Sequence, residues 1–136
     1  MRHYFLSAAL LLCPLLATAQ LAVTVSPVRT TGSKAIVPLT MKNGFAEKIE
    51  SARAVCFLFD YQGKMVGQST RWVIGAGRDK SPLAPGAAGI FNFVVAADKP
   101  FASTNVTPKL SFSRVVLESG KLADVNKEVQ IQNADK

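Results

Sequence analysis

The sequence predicts an all-β domain, an immunoglobulin-like antiparallel β-sandwich of seven or eight strands. Three observations predict it. Short apolar or alternating runs recur at roughly ten-residue spacing, the strand spacing of such sandwiches. Turn residues separate them, at Asn43-Gly44, Gln62-Gly63, Pro85-Gly86 and Ser119-Gly120. No stretch sustains the apolar period of a helix. A small closed barrel is the alternative use of the same strands.

The chain opens with the pattern of an export signal. Arg2 gives a positive start, residues 4–16 are apolar, and Ala17-Thr18-Ala19 fits a small-residue cleavage site. Cleavage is expected after Ala19, so that residues 1–19 are the signal and residues 20–136 form one domain. The apolar run is shorter than the roughly 20 residues a membrane span needs, and no second such run follows. Leu12 before Cys13 and Pro14 after it argue against lipid attachment there. The mature chain is therefore expected in the periplasm or outside the cell.

The strands follow in order. Leu21, Val23 and Val25 alternate with Ala22, Thr24 and Ser26, and Pro27 ends this first strand. Residues 30–33 read as a turn. Ala35, Val37, Leu39 and Met41 share one face of a second strand. Pro38 has no amide hydrogen, which places it at an edge or a bulge. Lys42-Asn43-Gly44-Phe45 is the next turn.

Residues 53–73 are the centre of the pattern. Ala54, Cys56 and Leu58 face one way and Val55, Phe57 and Phe59 the other. Both faces are apolar, so the strand is expected inside its sheet and covered on both sides. Asp60 to Lys64 suits a type I turn closed by Gly63 in the left-handed region. The return strand, residues 65–74, is mixed. Val66, Trp72 and Ile74 share a phase broken by Gln68 and Thr70, with Ser69 and Arg71 opposite. It reads as half exposed.

Residues 75–86 form the longest irregular segment of this half. Gly75 and Gly77 lack the third glycine and the helix of a dinucleotide-binding loop. In the next strand Phe91, Phe93 and Val95 alternate with Ile90, Asn92 and Val94. Residues 107–118 change phase, from Leu110 and Phe112 to Val115 and Leu117. A β-bulge near Ser113 or Arg114 reconciles the pairs. Ser119-Gly120 turns the chain, and residues 121–132 return as a last strand with Val129 and Ile131 inward.

Composition excludes several function classes. Removing 19 residues from 136 leaves 117, enough for a core without a metal or disulfide. Losing Arg2 leaves 15 basic residues against 9 acids, a charge of +6. The charges are scattered, so nucleic-acid binding is not indicated. The only histidine, His3, and one of the two cysteines, Cys13, leave with the signal. A mature chain without histidine has no Ser-His-Asp or Cys-His nucleophile and few means of holding zinc or copper. No metal and no cofactor are expected.

The remaining candidates are few. Cys56 lies among apolar residues that raise a thiol pKa, so it reads as an inert core residue. Asp60 at the head of a turn reads as bonding its own backbone rather than a cation with Asp79 or Asp98. Asn105-Val106-Thr107 matches a glycosylation acceptor, disfavoured by Pro108. Arg71, Trp72, Arg78 and Lys80 are the one cluster resembling a partner-binding surface, since Trp and Arg are enriched at binding hot spots.

The stretch Val55-Cys56-Phe57-Leu58-Phe59-Asp60-Tyr61-Gln62-Gly63-Lys64-Met65-Val66-Gly67, with Lys42-Asn43-Gly44 upstream and Leu83-Ala84-Pro85-Gly86 before Phe91, resembles the FxLYD-type domains of bacterial exported proteins. Phe57-Leu58-Phe59-Asp60 lacks the family's spacer and has Phe59 where the family has Tyr. The resemblance covers about residues 35–96. It implies an immunoglobulin-like sandwich without catalytic residues. Similar sandwiches include bacterial proteinase inhibitors. The expected function is a non-enzymatic exported module binding a protein or cell-envelope component. The alternatives are a protease-inhibitor-like domain using residues 75–86, and a carboxylate-only hydrolase, for which Glu47 and Glu50 are the closest acid pair.

Overall fold

The computed structural model describes residues 20–76, 81–102 and 105–134. The expected export signal, Arg78 and Lys80 lie outside them. Every regular element among the described residues is a strand: β1 (Leu21–Val25), β2 (Arg29–Thr31), β3 (Lys34–Asn43), β4 (Ile49–Phe59), β5 (Met65–Ile74), β6 (Ala88–Ala96), β7 (Thr107–Leu117) and β8 (Val129–Asn133). They form two sheets. One has β4 between β5 and β7. In the other, β3 pairs with β6 on one side and with β1 and then β2 on the other, and β8 lies beyond β1.

The core follows from the two-residue alternation of side chains. β1 contributes Leu21, Val23 and Val25, and β3 contributes Ala35, Val37, Leu39 and Met41. Phe93 and Val95 extend that layer through β6. Facing them are Ala52, Ala54, Cys56 and Leu58 of β4 and Leu110, Phe112, Val115 and Leu117 of β7. Burying a side chain of this size stabilises by about 1.5–3 kcal/mol. The phase change in β7 has the expected cause. Ala54 pairs with Phe112 but Arg53 pairs with Arg114, so Ser113 is the extra, bulged residue. The bulge lets both apolar pairs point inward. Ser113 Oγ donates to the Arg53 carbonyl at 3.2 Å, which ties the bulge to β4.

The central hairpin turns where the sequence places it. Gly63 has φ +80°. Its N–H donates to the Asp60 carbonyl at 3.0 Å, and the Asp60 N–H donates to the Lys64 carbonyl at 2.8 Å. The Asp60 carboxylate accepts from the N–H groups of Gln62 and Lys64, each at 2.9 Å, so its role is the local one.

Four expectations are corrected. β4 is interior to its sheet, but only its Ala54-Cys56-Leu58 face is buried. Val55, Phe57 and Phe59 are half-buried, partly shaded by cross-strand neighbours, and no described layer covers them. Pro38 lies in the middle of β3 rather than at an edge. Its carbonyl accepts from Ser26 N–H at 2.9 Å, so its donorless nitrogen faces the unpaired break between β1 and β2, where no partner strand needs it. Thr30 and Thr31 of the expected 30–33 turn belong to strand β2, which closes onto β3 through Gly32. The last strand is only Val129–Asn133, and it departs from the antiparallel rule. It pairs in parallel with β1, Val129 beside Leu21 and Asn133 beside Val25. Val129 and Ile131 do pack on the core as expected.

One buried polar residue joins three segments. Asn43 is fully buried. Its amide nitrogen donates to the carbonyls of Glu47 at 3.0 Å and Leu83 at 2.9 Å. Its oxygen accepts from Phe45 N–H at 2.7 Å. Neither the nitrogen nor the oxygen of the buried amide is thereby left without a partner. Leu83 also exchanges backbone hydrogen bonds with Ile49, both at 2.9 Å. The later half of the 75–86 segment is thus pinned to the start of β4.

Candidate functional site

Of the residues singled out as a partner surface, Arg71 and Trp72 do not share a face. Arg71 and Trp72 are consecutive on β5, so the pleat sends them to opposite sides. Trp72 lies on the outer face of its sheet, opposite Arg53, whose guanidinium carbon is 5.5 Å from the indole ring centroid. Arg71 pairs with Ala54 on the inner phase, and its Nε donates to the Val94 carbonyl of β6 at 3.2 Å. A charge turned inward at an edge strand blocks pairing with another chain. Arg71 therefore guards the Arg71–Ile74 half of β5 and ties it to β6.

The other half of β5 is unguarded. Among the described residues β5 pairs only with β4 and β6 only with β3. Along Met65 to Thr70 a groove runs between the open edge of β5 and Ala96 to Asp98 after β6. It continues into a cleft of about 480 Å³ at the end of the sandwich, walled by Tyr61, Met65, Val66, Pro100, Phe101 and Val106. Tyr61 and Met65 are 72% and 48% exposed, unusual for apolar side chains of this size. Asp60, Lys64, Asp98 and Lys99 line it with both signs of charge. The far wall is held in place by the β2–β3 turn. Ala97 N–H donates to the Ser33 carbonyl at 2.8 Å, and Phe101 N–H to the Gly32 carbonyl at 2.9 Å. Neither Tyr61 nor Phe101 stood out in the sequence. Tyr61 sits in a turn, and Phe101 follows a proline in a connection, so no periodicity marked them.

Nucleophilic and acid–base candidates are each otherwise engaged. Cys56 is buried at the centre of the core, and burial pushes its thiol up to about 11, only partly countered by the Lys109 backbone. Such a thiol is protonated at neutral pH and unreactive. Glu47 accepts from Ser119 N–H at 2.8 Å. That bond, with help from the Ser119 side chain and Lys121, holds its carboxyl below the usual range. It is a clamp on the β7 turn rather than an acid. Among the described residues no three His, Cys, Asp or Glu side chains gather as a metal site. No described helix is long and apolar enough to cross a membrane.

No family model matches the chain, and no curated protein matches it in sequence. Among solved structures it is similar to the X-ray structure of Northeast Structural Genomics Consortium target SoR45. The identity is 15%, over 77% of this chain and 76% of that one, with a TM-score of 0.47.

Proposed function

We propose that the domain is a non-enzymatic, exported module that binds an extended segment of a partner protein along the open edge of β5. The observation that carries this reading is the unguarded Met65 to Thr70 edge with an apolar cleft at its end. A bare strand edge offers a row of unpaired N–H and C=O groups, and a bound strand supplies their partners. Alternate side chains of that strand face the groove, and an aliphatic or aromatic one enters the cleft against Tyr61, Met65 and Phe101. The mixed charges at the rim favour a segment of low net charge.

A random-peptide display selection tests it. The expected winners alternate apolar and polar residues, carry a large apolar anchor, and lose at least about tenfold in affinity against Tyr61→Ala and Met65→Lys, a hot-spot-sized effect. Both positions are exposed, so thermal melts of the variants should match the parent within about 0.5 kcal/mol. Selection of no peptide, or of peptides indifferent to both changes, refutes the reading. A dimer that forms in solution and dissociates on Met65→Lys assigns the edge to a second copy instead.

A further inference from the structure

The outer face of the β5-β4-β7 sheet carries a second arrangement, separate from the cleft. Cross-strand register sets its rows. Phe57 lies between Gln68 and Lys109, Val55 between Thr70 and Ser111, and Arg53 between Trp72 and Arg114. Every charged side chain in these rows is a cation, and none of the positions holds a carboxylate. Arg53 and Arg114 stand directly opposite one another, a like-charge pairing that costs stability on a sheet. Arg53 is also preorganised. Its Nε donates to Ser113 Oγ at 3.2 Å, and its guanidinium lies over Trp72. Its cross-strand neighbour is Arg114, and it has no ion-pair partner among the described residues. A guanidinium held in this way is the arrangement that suits bidentate capture of an oxyanion.

We infer that this face binds an acidic glycan, with a carboxylate of the sugar chain held between Arg53 and Arg114 and the sugar rings lying along Trp72, Val55 and Phe57. The charge pattern selects this partner. Rows on one face are about 7 Å apart. The cations occupy the first and third rows, and the row between them offers Thr70, Val55 and Ser111. A nucleic-acid strand would place a phosphate over that uncharged row. A glycan with a carboxylate on alternate sugars places hydroxyls there, which Thr70 and Ser111 match as hydrogen-bonding groups. Val55 and Phe57 are half-buried, not the fully exposed apolar face of a membrane-inserting surface.

Trp72 is the only tryptophan of the sequence, so its emission reports on this face directly. Titration with hyaluronate, which carries a carboxylate on alternate sugars, should shift that emission, and the apparent affinity should fall as salt rises. Neutral dextran should give no shift. Arg114→Gln should weaken hyaluronate at least about tenfold, the loss of one charge-assisted contact, and Lys109→Gln should weaken it less. Both side chains are exposed, and circular dichroism should show both variants folded. Tyr61→Ala should leave glycan binding unchanged while removing peptide binding, so the two surfaces fail separately. The inference is overturned by any of four results: no emission shift with hyaluronate, equal binding of dextran, indifference to Arg114→Gln, or tighter binding of a single-stranded oligonucleotide or phosphatidylglycerol vesicles.

Discussion

Replacing Asn43 is the sharpest test of how the fold is held. In Asn43→Ala the Phe45 N–H loses its acceptor, and the Glu47 carbonyl loses the amide donor. The Leu83 carbonyl keeps one partner, because Ile49 N–H also donates to it at 2.9 Å. Two backbone groups are thus orphaned, at about 1–3 kcal/mol each, giving about 2–6 kcal/mol in all. Against a total of about 5–15 kcal/mol for a domain of this size, that is a large share. Asn43→Asp separates lost donors from lost volume. Its carboxylate still accepts from Phe45 but points at the Glu47 and Leu83 carbonyls without a proton to give. Burial and those oxygens raise its pKa above that of the unfolded chain. The folded state then binds the proton more tightly, so the variant's stability relative to the parent is highest at low pH and falls as pH rises through the raised value. Urea melts of the parent and both variants at pH 7 and pH 4 measure this. A loss below about 1 kcal/mol for Asn43→Ala, or an Asn43→Asp deficit that does not shrink at pH 4, refutes the clamp.

Two further perturbations follow from local geometry. Gly63 and Gly75 both have positive φ, but a Cβ at Gly63 meets nothing, whereas one at Gly75 overlaps the Glu50 carbonyl oxygen. Gly63→Ala should cost about 1 kcal/mol from backbone strain alone, and Gly75→Ala clearly more; equal melting temperatures for the two would contradict the close approach. Cys56, with its thiol pushed up to about 11, should react with a maleimide slowly in buffer and rapidly in denaturant. Its raised pKa also means that stability declines between about pH 9 and 11, as the unfolded thiol ionises first; a thiol labelled equally fast in both conditions would show that the strand is not buried.

Much of this architecture is legible in the residues. The period-two runs locate β1, β3, β6 and the inner face of β4. The phase change from Phe112 to Val115 gives the bulge, because only an extra residue lets both pairs point inward. Asp60 and Gly63 give the turn through their own backbone chemistry. What is not legible depends on partners distant in the chain. The apolar outer face of β4 reads as buried because a strand's pattern does not say whether a second layer exists. Pro38 reads as an edge residue because the break between β1 and β2 is a property of another strand. Arg71 and Trp72 read as neighbours in sequence, although the pleat alone separates them. Arg53 and Arg114 come together only through register, 61 positions apart once the bulge at Ser113 is counted. The cleft combines a turn, an edge strand and a connection, none of which carries a periodic signal.

The parallel pairing of β1 with β8 bears on how the molecule is made. Gln20 and Gln130, hydrogen-bonded through their side chains at 2.6 Å, are 110 residues apart in sequence. Contacts at that separation close late, because the loop entropy between them is met before the pairing contributes. Until β8 docks, β1 has one satisfied edge and one open edge, next to residues that nearly fill the core. That interval is when the chain is most exposed to pairing with a neighbour. Contacts that form after the folding transition state slow unfolding without speeding folding. β8 therefore acts as a latch: weakening Val129 or Ile131 should shorten the lifetime of the folded molecule far more than it delays its formation.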